Sequence, residues 1–128
     1  MPTIKKIKTI LGHQAPIYTL NLGKGFFLSS DTNGLVVKWD LDNLDNGKLL
    51  ARLNSSVYSL YLEDNNLFIG QNFEGVHCLD IAQNHVLKSL QLTKAAIFDI
   101  KASSNYVWID LGDGCLSILD KKNLISYN

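Results

Sequence analysis

The chain has no excess of charge of either sign: twelve Lys and Arg offset twelve Asp and Glu over 128 residues. No basic cluster extends beyond Lys5, Lys6 and Lys8. Nucleic acid is therefore not the expected partner, because phosphate neutralisation needs a basic patch or stripe. Cysteine is scarce. Cys78 and Cys115 are too few for a disulfide framework and lack CxxC spacing, which fits reduced thiols and a cytoplasmic location. Long apolar runs are missing too. Lys8 and Thr9 break the first apolar stretch before a signal-peptide core forms, and no other segment approaches the length of a membrane span.

Several kinds of chemistry lack their residues. Neither a Gly-rich loop ending in Gly-Lys-Ser/Thr nor a strand-to-helix GxGxxG occurs, so no phosphate loop and no cofactor is expected. The Asp/Asn-Gly turns suggest calcium, but counting from Asp40 puts Leu44 at the fifth ligand position and Ala51 at the twelfth, where oxygen ligands are needed. His77 and Cys78 are neighbours on an expected strand and point to opposite faces, so no metal site is expected.

What the chain does have is a repeat. Ile17-Tyr18-Thr19-Leu20 recurs as Val57-Tyr58-Ser59-Leu60 and as Ile97-Phe98-Asp99-Ile100, at intervals of 40 residues, and Asp40, Asp80 and Asp120 keep the same spacing. Each unit then has a second apolar run, a turn glycine (Gly34, Gly75, Gly114) and a third run. Fourth runs follow at Leu49 to Leu53 and at Val86 to Leu92. Alternation such as Tyr18-Thr19-Leu20-Asn21-Leu22, with no 3.6-residue stripe anywhere, predicts strands and no helix. A unit of about 40 residues with four antiparallel strands is the sequence pattern of a propeller blade.

Gly12-His13 and Trp39-Asp40 bracket the first unit, which thereby resembles a WD-repeat blade; the later units keep only Leu79-Asp80 and Leu119-Asp120. The chain also resembles the N-terminal part of small bacterial WD-repeat proteins. The resemblance implies an all-β WD-repeat β-propeller segment of three four-stranded antiparallel blades plus an N-terminal strand. The strand would span 4–10, and the blades 12–53, 54–92 and 93–128. It also implies a structural hydrogen-bonded network of His13, Ser29 and Trp39, with the turn position falling on Asn33. A catalytic reading of His13 beside Ser29 is the weaker one, because the Trp partner and the repeat context assign both to the network.

The implied function is that of a non-catalytic interaction platform for a protein or peptide. Its partner would dock on the rim of the central channel, at Tyr18, Tyr58 and Phe98 with Pro16, Ser56, Ala96, Thr32 and Phe73. The alternative is a small-molecule binder or hydrolytic enzyme using the channel, which would need convergent ionisable groups at its mouth. Closed rings of this type have at least four blades. The remaining blades of a longer chain or a second copy would therefore close the ring. Residues 4–10 would complete a last blade, and "NLISYN" reads as the start of another fourth strand.

Overall fold

The computed structural model describes residues 3–72, 75–91 and 94–125. Among the described residues, eleven strands form three antiparallel sheets in chain order, and one short helix follows the last strand. The first holds β1 (Ile17–Leu22), β2 (Phe26–Asp31), β3 (Leu35–Asp40) and β4 (Asn43–Arg52). The second holds β5 (Val57–Glu63), β6 (Asn66–Gln71), β7 (Val76–Asp80) and β8 (His85–Leu90). The third holds β9 (Ile97–Ala102), β10 (Tyr106–Leu111) and β11 (Leu116–Asp120), followed by α1 (Lys121–Ile125). Each sheet is a meander of neighbouring strands, as expected for blades of a propeller.

Alternating side chains make two cores from three sheets. Leu28 and Val36 of the first blade meet Val57, Leu60, Leu67, Ile69 and Leu79 of the second. The other face of the second, with Phe68, Val76 and Cys78, meets Ile97, Ile100, Val107, Ile109 and Leu111 of the third. Burial pushes the Cys78 thiol up to about 11, with Asp80 adding to it, so this cysteine serves as a small apolar side chain. The blades fan out from β1, β5 and β9, each packed on the next.

The turn glycines are conformational requirements. Gly34 sits at φ +87°, and a Cβ there would run into the Leu53 carbonyl oxygen. Both the left-handed backbone and the backbone clash oppose any side chain. Gly34→Ala is expected to cost at least about 1–2 kcal/mol, read as a lower urea midpoint at unchanged slope. An unchanged midpoint would show that the turn can relax.

Four details differ from the sequence reading. Residues 4–10 form no strand, and Ile4 and Ile7 are 101% and 93% exposed. A strand persists only when a neighbour takes its hydrogen bonds, and no sheet edge pairs with this segment among the described residues. Among the described residues the third blade has three strands rather than four. After Asp120 the chain enters a helical turn instead of a strand, with the Asp120 carboxylate accepting the Lys122 N–H as an N-cap does; residues 126–128 of "NLISYN" lie outside the described residues. Finally, β4 begins at Asn43 rather than Leu49, because Asp40 accepts the Asp42 N–H and closes the turn early.

Candidate partner-binding rim

Tyr18, Tyr58 and Phe98 are each the extra residue of a β-bulge. Ile17 pairs with Asp31 and Thr19 with Ser30, leaving Tyr18 without a partner. Val57 pairs with Gln71 and Ser59 with Gly70 around Tyr58. Ile97 pairs with Leu111 and Asp99 with Asp110 around Phe98. A bulge re-aims the side chain it carries, and here it does so at the same point of all three innermost strands.

The three rings form a row. Tyr18 and Tyr58 lie 5.2 Å apart between centroids at 34°, and Tyr58 and Phe98 lie 5.4 Å apart, edge to face, at 60°. Such geometry is favourable for ring quadrupoles. Tyr18 and Phe98 are each 55% exposed, and Tyr58 between them is half-buried.

Backbone ties hold the row in place. The carbonyls of Pro16, Ser56 and Ala96 accept the N–H groups of Thr32, Asn72 and Gly112 at 3.1, 3.0 and 2.8 Å. Ser56 Oγ also donates to the Thr32 carbonyl at 2.8 Å, joining the first two blades. Thr32, Pro16, Ser56 and Ala96 thus lie at this end of the fan, whereas Phe73 falls outside the described residues. Asn72 and Gly112 belong to the same set and are absent from the sequence-based rim. The interval of 40 counted from Thr32 points to them, and Phe73 is one residue out of that register.

Behind the rim lies a buried polar chain in blade one. Trp39 Nε1 donates to Ser29 Oγ at 2.8 Å, Ser29 Oγ meets His13 Nε2 at 2.6 Å, and His13 Nδ1 meets Asp31 Oδ2 at 2.7 Å. Because a carboxylate only accepts, Nδ1 carries the proton, and a neutral ring leaves Nε2 to accept from the Ser29 hydroxyl. Asp31 Oδ1 takes the backbone N–H groups of Asn33 and Leu35 at 2.9 and 3.0 Å. The acid of the turn is therefore Asp31 and not Asn33, which contributes its backbone N–H. Burial alone would raise the Asp31 carboxyl, but the His13 ring and the Leu35 and Asn33 N–H groups together hold it below its ordinary value of 3.8.

An Asp–His–Ser order also belongs to hydrolytic triads. Here Ser29 is 1% exposed and Asp31 fully buried, and Ser29 Oγ is already occupied by the indole. A nucleophile needs room for a substrate carbonyl, and this hydroxyl has none. Blade two has a different solution. Gln71 stands 40 residues after Asp31, donates Nε2 to the Ser55 carbonyl at 3.1 Å and accepts from His77 Nε2 at 2.6 Å. Blade three has Leu111 at that place. Among the described residues, no three His, Cys, Asp or Glu side chains are grouped so as to hold a metal ion, and no helix is long and apolar enough to cross a membrane.

Solved structures share this architecture. The WD40 domain of Toxoplasma gondii coronin superposes with a TM-score of 0.78 at 18% identity, over 88% of this chain and 33% of its own. The β-propeller domain of Myceliophteria thermophila Cps50 (Swd1) gives 0.75 at 15% identity, over 89% and 38%. The computationally designed Ika8 protein gives 0.74 at 18% identity, over 87% and 35%. The chain thus spans about a third of each of these three. No protein-family model and no curated protein matches the sequence. The likeness is one of fold, and the fold is that of a β-propeller segment.

Proposed function

We propose that this chain is a member of the WD-repeat family and a non-catalytic platform that docks a protein or peptide across Tyr18, Tyr58 and Phe98. The observation that carries the reading is the row of three bulge-borne rings, in contact with one another and open to solvent at both ends. Aromatic side chains on a rigid support lose little entropy on binding and dominate interface energetics. The backbone carbonyls tied beneath them hold the row without help from the partner. Two free thiols, one buried and one exposed, fit a reducing compartment such as the cytoplasm. Three blades fall short of a ring, so further blades, from more polypeptide or from a second copy, complete the platform.

The test is selection of peptides from a displayed library, followed by calorimetry on the winners. Tyr18→Ala and Phe98→Ala are each expected to weaken binding by about 1–3 kcal/mol, with thermal stability nearly unchanged because half of each ring is already in water. Binding that survives both substitutions, or that falls only in step with lost folding, would overturn the reading.

A further inference from the structure

Residues 4–10 have the sequence of an outer strand without a sheet to join. Lys8 precedes Lys48 and Lys88 by 40 and 80 residues, and Ile10 precedes Leu50 and Leu90 by the same intervals. Those residues lie in β4 and β8, the outer strands of blades one and two. "IKTI" at 7–10 falls in step with "LKSL" at 87–90. His13 fixes the base of this segment in the buried network, while Lys8 makes one exposed ion pair with Asp45.

Blade three has the converse deficit. β3 and β7 are flanked by β4 and β8, but β11 is the edge of its sheet. Leu116, Ser117 and Ile118 stand where Val76, His77 and Cys78 stand one repeat earlier, and those pair with Leu90, Ser89 and Lys88. Ile10, Thr9 and Lys8 would therefore fit β11 in the register already used by β8.

The faces match in the same way. Trp108, Leu116 and Ile118 of blade three are 37%, 64% and 52% exposed, yet they stand at the positions of Phe68, Val76 and Cys78, all 0% exposed in the second junction. Leu20 and Leu22 of blade one, 63% and 77% exposed, stand at the positions of Leu60 and Leu62, which pack into the first junction. The fan thus carries one half of a blade junction on each outer side, and the halves are complementary.

We propose that a second copy of this chain supplies both missing halves: its residues 4–10 add to β11 as the fourth strand, and its blade one packs on blade three. Reciprocal exchange gives two equal junctions about a twofold axis and six blades, within the usual four to eight; a third copy would exceed that range. The proposal rests on the reading that the platform must be completed, and it names what completes it.

Light scattering should give twice the 14.3 kDa of one chain. Thr9→Pro is harmless to a lone copy, whose residues 4–10 have no ladder, but it removes an N–H from the added strand; the dissociation constant should rise by about tenfold. In a Cys115→Ser background, Thr9→Cys with Ser117→Cys should oxidise to an interchain dimer that neither substitution gives alone. A dimer indifferent to Thr9→Pro and not cross-linked by the cysteine pair would overturn strand exchange. A folded monomer that binds a hydrophobic dye would overturn the second copy while leaving completion by other polypeptide; one that binds none would overturn both.

Discussion

Trp39→Ala is expected to destabilise the chain by about 3–5 kcal/mol, the range for deleting a large buried aromatic side chain. The indole is 4% exposed and stacks on Phe27 at 6.1 Å between centroids. Gly12 and Gly47 press on its other sides so closely that a Cβ on either would collide with it. On the Gly12 and Gly47 sides no side chain is available to fill the space, which places the loss toward the upper end of the range. The hydrogen bond to Ser29 is a smaller share. Trp39→Phe keeps most of the volume and removes the donor, and a loss of about 1–2 kcal/mol is expected. Urea unfolding followed by circular dichroism, which does not depend on indole emission, measures both. A loss under about 1 kcal/mol for the alanine variant would mean that the blade repacks and that the indole is not its anchor.

The same residue shows why some of this architecture is legible from sequence and some is not. Gly-His and Trp-Asp at the two ends of one unit, with Asp40, Asp80 and Asp120 at equal spacing, describe a repeating meander, and a period survives errors in any single strand. The turn glycines are readable because their backbone conformation excludes most other residues. Bulges are not readable, since a bulge is a relation between two strands. The common spacing of Tyr18, Tyr58 and Phe98 was visible, but their solvent exposure follows from the pairing of β1 with β2, β5 with β6 and β9 with β10. Residues 4–10 fail for a related reason: a strand is half of a pair, and a sequence displays one half.

The acid of the network illustrates a finer limit. Counting back one residue from Gly34 reaches Asn33, a chemically reasonable turn acceptor. The structure instead uses Asp31, at the end of β2, because a carboxylate there reaches His13 with one oxygen and two turn N–H groups with the other. Asn33 cannot do both from inside the turn that those N–H groups define. Following the interval of 40 from Asp31 to Gln71 and Leu111 would have exposed the position, since its polarity declines blade by blade along with the network.

Asp31→Ala is expected to cost about 3 kcal/mol or more, because each buried donor left without its acceptor costs about 1–3 kcal/mol. It leaves three donors without an acceptor: the ring N–H of His13 and the N–H groups of Asn33 and Leu35. Asp31→Asn separates charge from shape. Its oxygen can still take the turn N–H groups, but its amide presents N–H to a ring nitrogen that also carries a proton. His13 must then change tautomer, and its new Nε2–H donates to Ser29, whose own hydroxyl proton loses its acceptor; about 1–3 kcal/mol is the expected cost. The pH dependence tells the two contributions apart. Asp31 is held below its ordinary value of 3.8 in the folded chain, so the unfolded chain binds the proton first. The stabilisation is complete above that ordinary value and is lost as the pH falls through it toward the lower folded value. The gap between the parent chain and Asp31→Asn should therefore be constant near neutrality and shrink on acidification through this window. A gap that stays constant to the acid limit of folding would show that the carboxylate charge contributes nothing, and that Asp31 acts only through the shape of its turn.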